Sequence, residues 1–335
     1  MADTVLNRLN HALFSALESD ERVYILGEDI LDPYGGAFKV TRGLSTKFPE
    51  RVLSTPISES AILGLANGMA MRGLRPVAEI MFGDFVTLIA DQLINHAAKF
   101  RWMYNDNVRV PIVVRTPMGG RRGYGPTHSQ SLEKIFLGVP GLKVLAPNTL
   151  GDPARLLKAA IADDDPVLFV EHKLLYARPL LESGQGDLIE FEIQESTKVY
   201  PDFVLRIPGH TPQLTIATYG YNFELARTAA ITLLMEHEIF AEIILFSQLS
   251  PLDLEPVFQS LKKTRNLMTI EEGTRSLGWG AEVIAQIAEG CSNLSGYEFR
   301  RVTARNLPIA NSRILEDAIL PSVNDIVRTA LSFTR

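Results

Sequence analysis

The chain has 335 residues, of which 39 are acidic and 33 basic, so its formal net charge is −6. A chain of this length usually builds more than one compact core, which predicts two domains. The mild acidity and the lack of a Lys/Arg-rich run argue against a nucleic-acid-binding protein. No apolar run approaches the roughly 20 residues that span a bilayer, and no signal-peptide pattern opens the chain. We therefore predict a soluble, cytoplasmic protein that binds neither nucleic acid nor membrane.

Alternating helices and strands are predicted along residues 1–178. The first helix follows from apolar residues at three- and four-residue spacing, namely Val5, Leu6, Leu9, Leu13, Ala16 and Leu17. Predicted strands lie at Val23–Asp29, Pro76–Met81, Val110–Thr116, 143–147 and Val167–His172. Further helices are predicted to begin at Ser58-Glu59 and to span Asp84–Trp102, Ser129–Phe136 and Asp152–Ala162. This alternation predicts an α/β domain, a parallel sheet covered on both faces.

The alternation lapses over residues 179–212, which we predict to be a linker between domains. Prolines and glycines punctuate this stretch at Pro179, Gly184, Gly186, Pro201, Pro208 and Pro212. Strand and helix patterns resume over residues 213–335, with strands at Leu214–Gly220, 241–246, Leu267–Gly273 and Phe299–Val302. Helices are predicted at Phe223–Glu236, Asp253–Thr264, Ala281–Glu289 and Val323–Leu331. The second half is therefore predicted to be a smaller α/β domain.

Two residues could carry acid–base chemistry. Glu59 stands where a strand-like segment gives way to a helix, so it could simply accompany a Ser58 cap or could point into a buried site. His128 follows the Gly-rich loop 119–125, where glycines permit close approach to a ligand and a histidine moves protons near neutral pH. A histidine on a surface loop fits the same pattern, so both interpretations stay open.

Other local patterns also leave two interpretations open. Phe85 sits among apolar residues and could belong to the core or stack on a flat heterocycle. The acidic run 163–165 could be a solvated turn or could hold a hard cation. The chain has no GxxxxGK[ST] motif and no GxGxxG motif after a strand, which argues against ATP and NAD binding. A GDG segment with paired asparagines, which holds magnesium and diphosphate in thiamine-dependent enzymes, is also absent from the sequence.

Eight segments nevertheless occur in the order seen in one family. They are ILGEDI (25–30), GGAFKVTRGL (35–44), ISES (57–60), GLRPVAEIMFGDF (73–85), PIVVRTPMGG (111–120), THSQS (127–131), VPGLKVLAPNT (139–149) and PLDLEP (251–256). With them the whole chain resembles the beta subunit of the thiamine-diphosphate-dependent decarboxylating component of 2-oxoacid dehydrogenase complexes. That family includes the pyruvate, branched-chain 2-oxoacid and acetoin enzymes.

The resemblance implies two three-layer α/β domains, a pyrimidine-binding domain followed by a transketolase C-terminal-type domain. It implies that an alpha subunit carries the diphosphate- and magnesium-binding domain, which accounts for the absent GDG segment. The protein would then work in a heterotetramer, decarboxylate a 2-oxoacid and transfer the acyl group to lipoamide on an acyltransferase core. The segment PIANSRILED of the second domain departs from the usual form in this family.

The same resemblance assigns roles to individual residues. Glu59 matches the glutamate that hydrogen-bonds a ring nitrogen of the aminopyrimidine and promotes its imino tautomer. Phe85 matches the aromatic residue that packs on that ring, and Ile57 and Met81 are weaker candidates for the same pocket. His128 matches a histidine implicated in substrate handling and in acyl transfer. A structural potassium ion is implied at Ile112, Ala160, Ile161, Asp163 and Asp165.

Two alternatives to a dehydrogenase stay open at this point. The same cofactor chemistry could serve a biosynthetic carbon–carbon ligase, in which the enamine attacks another carbonyl compound. A non-catalytic scaffold that retains the fold is the other alternative, although intact Glu59, Phe85 and His128 argue against it. The adjacent Arg121 and Arg122 could be a specialised substrate feature or part of a solvated loop.

Overall fold

The computed structural model describes residues 3–182 and 191–333, which divide into two compact units. The first unit comprises Met1–Gly119 and Gln130–Leu180, and the second comprises Gly120–Ser129 and Leu181–Arg335. The predicted Gly184 and Gly186 of the linker lie outside the described residues. Within the described residues, no helix is both long enough and apolar enough to span a membrane.

The first unit alternates helices with strands. Its helices are α1 (Val5–Ser19), α2 (Leu44–Lys47), α3 (Glu59–Met71), α4 (Ala98–Met103) and α5 (Pro153–Ala162). Its strands are β1 (Val23–Gly27), β2 (Val52–Ser54), β3 (Arg75–Glu79), β4 (Val113–Met118), β5 (Lys143–Leu145) and β6 (Val167–His172). These strands are hydrogen-bonded in the order β5-β6-β4-β3-β1-β2, and every pair is parallel. The carboxyl ends of the strands, where such folds place their working residues, therefore share one edge.

Local sequence accounts for the ends of the packed helices. Thr4 caps α1 through a hydrogen bond from the Asn7 N–H to its hydroxyl, 3.3 Å long. Asp152 caps α5 in the same way, accepting from the Ala154 N–H at 2.9 Å, and Pro153 occupies the first turn of that helix. Every residue of β4 and β6 is buried, as expected for central strands of a parallel sheet.

Two predicted helices differ in the structure. The segment predicted as one helix over Asp84–Trp102 changes its winding, from a 3₁₀ helix at Gly83–Ile89 to a π-helix at Gln92–Ala97 and then to α4. The prediction of a helix over Ser129–Phe136 is wrong, because only Glu133–Ile135 forms a 3₁₀ turn. The Gln130 carbonyl accepts from the Gly119 N–H at 3.2 Å, and its own N–H donates to Asp84. In a helix that begins at Ser129 the Gln130 carbonyl would instead accept from the N–H of residue 134, so its bond to Gly119 competes with the helix.

The second unit contains its own sheet. Its strands are β7 (Glu192–Glu195), β8 (Phe203–Arg206), β9 (Leu214–Tyr219), β10 (Ala241–Phe246), β11 (Gln248–Ser250), β12 (Asn266–Thr274) and β13 (Glu298–Ala304). Its helices are α6 (Asn222–His237), α7 (Glu255–Thr264), α8 (Trp279–Gly290), α9 (Arg313–Ile319) and α10 (Val323–Ala330). The sheet order is β13-β12-β9-β10-β8-β7, with parallel pairs up to β10 and antiparallel pairs beyond it.

The antiparallel strands correct part of the predicted linker. Both β7 and β8 lie inside residues 179–212, so this stretch contributes to the second sheet from Glu192 onward. Its prolines did not prevent this pairing because β8, Phe203–Arg206, falls between Pro201 and Pro208. Only a neighbouring strand could show that so short a run is paired.

Candidate functional site

A pair of buried carboxyl groups lies at the carboxyl end of β1. Glu28 directly follows β1 and is 6% exposed, and Glu59 is the first residue of α3 and is 8% exposed. Burial raises the pKa of the Glu28 carboxyl, and the charges of Glu59 and Asp29 add to the rise. A hydrogen bond from the Ser58 N–H opposes it. Burial and the neighbouring charges therefore favour the protonated form of Glu28, which suits acid–base work on a ligand.

The capping interpretation of this region is wrong in one respect. Ser58 stands at the N-cap of α3, yet its side chain makes no capping hydrogen bond. The carboxylate of Glu59 lies in the first turn, where the helix dipole favours negative charge. Glu59 is thus both a helix-end residue and a buried acid, so the two interpretations of its position are compatible.

Phe85, the residue predicted to pack on the pyrimidine ring, belongs to a series of packed aromatic side chains. Phe85 lies on the 3₁₀ helix, half-buried, with its ring 6.1 Å from that of Phe82 in an edge-to-face arrangement. Phe82 contacts Phe38 edge-to-face, at 5.7 Å between ring centroids. Met81 is also half-buried, and Ile57 is 84% exposed. The packed rings hold Phe85 in place and leave apolar surface available to a flat ligand.

A buried network of ion pairs contacts these aromatic side chains through Tyr176. Arg115 on β4 is 1% exposed and donates to Glu171 from Nε and Nη2, both at 2.7 Å, and to Glu79 from Nη1 at 2.8 Å. The Tyr176 hydroxyl donates to Glu171 at 2.6 Å, and its ring lies 5.3 Å from that of Phe38. Burial raises the pKa of Tyr176 well above its usual value, and the Glu171 charge adds to this, so the hydroxyl stays a donor.

His128 belongs to the second unit, within Gly120–Ser129. Its side chain is half-buried, and its Nδ1 lies 3.0 Å from the hydroxyl of Thr127. The neighbouring arginines differ from each other. Arg121 is engaged within its own unit, where its backbone N–H donates to Glu316 at 2.7 Å, whereas Arg122 is exposed. Arg121 and Arg122, which the sequence analysis treated together, therefore have different surroundings in the structure.

The residues expected to hold potassium are already in contact with basic side chains. Arg75 Nη1 donates to the carbonyl oxygens of Ile161 and Asp163 at 2.9 and 2.8 Å. Lys143 Nζ donates to the carboxylates of Asp163 and Asp165, at 2.6 Å for the closer Asp163 oxygen and 3.1 Å for Asp165. Arg101 donates to Asp165 at 2.6 Å.

The two remaining positions of that set offer only carbonyl oxygens that are in use. The Ile112 carbonyl accepts from the Val167 N–H at 2.9 Å, and the Ala160 carbonyl accepts from the Asp163 N–H at 3.3 Å. A hydrogen bond from Arg75 lowers the pKa of Asp164, which keeps this acid charged beside the basic groups. No cluster of three or more metal-ligating side chains occurs in residues 3–182 and 191–333. These residues do not fit the expected potassium site, because basic side chains and backbone N–H groups already use the acceptors expected to hold the ion.

The pyrimidine end of thiamine diphosphate fits the residues of the first unit. Glu59 offers a buried carboxylate for a ring nitrogen, and Phe85 offers the edge of a packed aromatic cluster. Glu28 Oε1 is buried and lacks a hydrogen-bond partner within the described part of the chain. An unpartnered acceptor of this kind is costly unless a ligand or a proton satisfies it. These residues offer an acid–base group and an aromatic surface, which suit a small heterocycle with polar ring atoms.

Comparison with known proteins identifies the class of enzyme to which this chain is similar. The chain matches the family model "Transketolase, pyrimidine binding domain" over residues 4–179 and "Transketolase, C-terminal domain" over residues 205–326. It also resembles a solved structure described as a split-gene transketolase, inactive beta4 tetramer. The TM-score is 0.73, at 19% identity over 99% of this chain and 100% of the other. Fold and site thus define a subunit of a transketolase-type, thiamine-diphosphate-dependent enzyme.

Curated relatives identify one family within this class of thiamine-dependent enzymes. The chain is 38% identical to pyruvate dehydrogenase E1 component subunit beta-2, mitochondrial, of Oryza sativa, covering 98% of this chain and 85% of the relative. It is 36% identical to the acetoin:2,6-dichlorophenolindophenol oxidoreductase subunit beta of Cupriavidus necator, covering 96% and 94%. The chain therefore belongs to the family of beta subunits of thiamine-dependent 2-oxoacid dehydrogenases. The family, the fold and the enzyme class predicted from the motifs are confirmed.

Several buried charged groups of the two units were not predicted from the sequence. Glu28 belongs to the motif GED, whose position after a buried strand could have marked it as a partner for Glu59. Arg115 and Glu171 also lie within predicted strands, and a charged residue in an otherwise apolar strand indicates a buried ion pair. The contact between Glu316 and Arg121 had no such local signal, because the two residues lie almost 200 positions apart in the chain.

Proposed function

We propose that this chain supplies the pyrimidine-binding half of a 2-oxoacid dehydrogenase active site, in a heterotetramer with an alpha subunit. The carboxyl pair of Glu28 and Glu59 supports this most directly, because a buried acid at this position can exchange a proton with a ring nitrogen. The missing GDG segment supports assigning the diphosphate and its magnesium ion to the alpha subunit. Relatives named "subunit beta" support the existence of such a partner.

Each residue of the site has a distinct task in this proposal. Thiamine diphosphate, when bound, supplies an electron-accepting thiazolium ring that lets carbon dioxide leave a 2-oxoacid. Glu59 holds and moves a proton at a nitrogen of the aminopyrimidine ring, while Phe85, Met81 and Ile57 offer it an apolar surface. His128 exchanges a proton with the substrate or the departing acyl group. No potassium ion enters the proposal, because basic side chains and backbone N–H groups use the acceptors expected to hold it.

We extend the proposal to acyl transfer onto lipoamide carried by an acyltransferase core. The relative from Oryza sativa is named a component of pyruvate dehydrogenase, which supports a place in a larger assembly. The relatives give no support to the ligase or to the non-catalytic scaffold over this function. Several relatives are named mitochondrial, and the cytoplasmic location stays a prediction from the sequence.

Two measurements test the proposal. Calorimetric titration with thiamine diphosphate and magnesium should show tight binding only when the alpha subunit is present. Tight binding by the lone chain, with turnover, would contradict the shared site. Glu59→Gln should lower decarboxylation by roughly 10²- to 10⁴-fold, because acid–base catalysis contributes about that much. Glu50→Gln, at an exposed position, is the matched control and should retain wild-type turnover with each member of a panel of 2-oxoacids.

A further inference from the structure

The loop that carries His128 is intrinsically pliable. Residues 120–129 include Gly120, Gly123 and Gly125, and the latter two adopt positive φ angles of 69° and 78°. Arg121 also has a positive φ, 67°, which is unfavourable for a residue with a Cβ. Glycines make many conformations accessible, so the sequence of this loop does not by itself hold the histidine in one place. Contacts from outside the loop must do so.

Glu316 makes two contacts of this kind. It lies on α9, is 1% exposed, and uses both carboxylate oxygens on the loop backbone. Oε1 accepts from the Arg121 N–H at 2.7 Å, and Oε2 accepts from the Gly123 N–H at 3.1 Å. Hydrogen bonds to an ionised acceptor are stronger than those between neutral groups. One side chain thus fixes the backbone on both sides of Arg122.

Glu272 on β12 holds the start of the same loop. Its Oε1 accepts from the Gly120 N–H at 2.7 Å. Gly120 is also closely packed, because a Cβ there would lie 2.6 Å from Leu320 Cδ1 and 3.1 Å from Glu316 Oε1. Leu320 belongs to a small core with Ala304, Ile309 and Ile319. The loop is therefore pinned to a packed part of its own unit.

The Arg121 side chain balances these buried acids. Its Nη2 donates to the Pro321 carbonyl, and its Nε lies 3.8 Å from Glu272 Oε2. Its Nη1 lies 3.8 Å from Asp317 Oδ1. A nearby guanidinium offsets the electrostatic cost of burying carboxylates. These contacts make Arg121 part of the loop's support.

We propose that Glu316 is a positioning residue for His128, which it holds in a working conformation by binding the Arg121 and Gly123 backbone amides. This inference rests on the catalytic role given to His128 in the proposed function. Glu316 acts through the loop backbone and need not touch substrate or cofactor. The carboxylate geometry matters as well as the hydrogen bonds, because two N–H donors need two acceptor oxygens. An amide at this position would present a donor to one of them.

The test uses the complex of this chain with its co-purified alpha subunit. His128→Gln should lower kcat by about 100-fold, within the usual range for a lost acid–base group. Glu316→Gln should lower kcat by about 10-fold and leave the thiamine diphosphate Kd within about twofold. In the double variant Glu316→Gln should have almost no further effect, because it acts through a residue already lost.

Two further variants separate positioning from general damage. Asp317→Asn removes a carboxylate that is 53% exposed and lies 3.8 Å from Arg121; this contact is weak, so the variant should retain wild-type kcat. Gly120→Ala keeps every charge but pushes the loop away from Leu320, so it should lower kcat in the direction of Glu316→Gln. Hydrogen exchange of residues 120–129, followed by mass spectrometry, should show faster exchange in both Glu316→Gln and Gly120→Ala.

The outcomes distinguish this inference from the proposed function. Suppose that His128→Gln lowers kcat as expected. Glu316 then does not position the histidine if Glu316→Gln has wild-type kcat, or if it lowers kcat by the same factor with and without His128. Unchanged exchange of the loop in Glu316→Gln would overturn the inference as well. If His128→Gln itself retains wild-type kcat, the catalytic role of His128 is wrong and the positioning role falls with it.

Discussion

Arg115→Met should strongly destabilise the first unit. The guanidinium is 1% exposed and makes three hydrogen bonds of 2.7 to 2.8 Å to Glu79 and Glu171. Its removal leaves two buried carboxyl groups without their counter-charge. Breaking a buried ion pair in this way typically costs 3–5 kcal/mol, so we expect about 4 kcal/mol. In a unit of this size that corresponds to a fall in melting temperature of roughly 12 °C.

The loss should depend on pH in a defined direction. Burial already raises the pKa of Glu79, Arg115 opposes the rise, and the Glu171 charge adds to it. Without Arg115 the pKa of Glu79 rises further. An acid whose folded-state pKa is raised favours the folded protein below its unfolded pKa and loses that contribution as pH rises through the folded value. The variant should therefore be least stable, relative to wild type, near pH 8 and recover towards about pH 5.

Thermal unfolding followed by circular dichroism at both pH values measures this loss. Arg22→Met is the matched control, because Arg22 pairs with Asp20 at the surface and its loss should cost under about 1 kcal/mol. Adding Glu79→Gln and Glu171→Gln to Arg115→Met should restore part of the stability, since the stranded charges are then gone. A melting temperature within about 2 °C of wild type at pH 8, or a loss independent of pH, would refute this reasoning.

Two further predictions concern the carboxyl pair and the acidic cluster. Glu28→Gln should raise the free energy of unfolding by about 1 kcal/mol near pH 8 and by much less near pH 4, because the raised pKa makes ionised Glu28 unfavourable in the fold. Urea titration at the two pH values measures this difference. Equal effects at both pH values would contradict the prediction. Replacing sodium by potassium chloride should leave the wild-type melting temperature unchanged. Lys143→Met, which frees acceptors on Asp163 and Asp165, should become more stable in potassium. A potassium-dependent wild type would contradict the assignment of these acceptors to basic side chains.

Sequence patterns were sufficient where structure depends on near neighbours. The spacing of apolar residues predicted α1, and short apolar runs predicted the buried strands β4 and β6. Collinear motifs also led to the family. Local sequence patterns were insufficient where pairing with a neighbouring strand determines the secondary structure. The strands β7 and β8 are four residues each, and no local signal distinguishes such a run from a linker.

The 335-residue sequence thus determined on its own two α/β domains, the family and the candidate residues Glu59, Phe85 and His128. Only tertiary structure decided what surrounds them. The charge of Glu59 acts on Glu28 because β1 and α3 bring their ends together. The acidic residues expected to bind potassium contact basic side chains instead. Glu316 contacts an arginine almost 200 residues earlier in the chain. The reason is physical: apolar periodicity is a local property, whereas the partner of a buried charge depends on which distant segments the fold brings into contact.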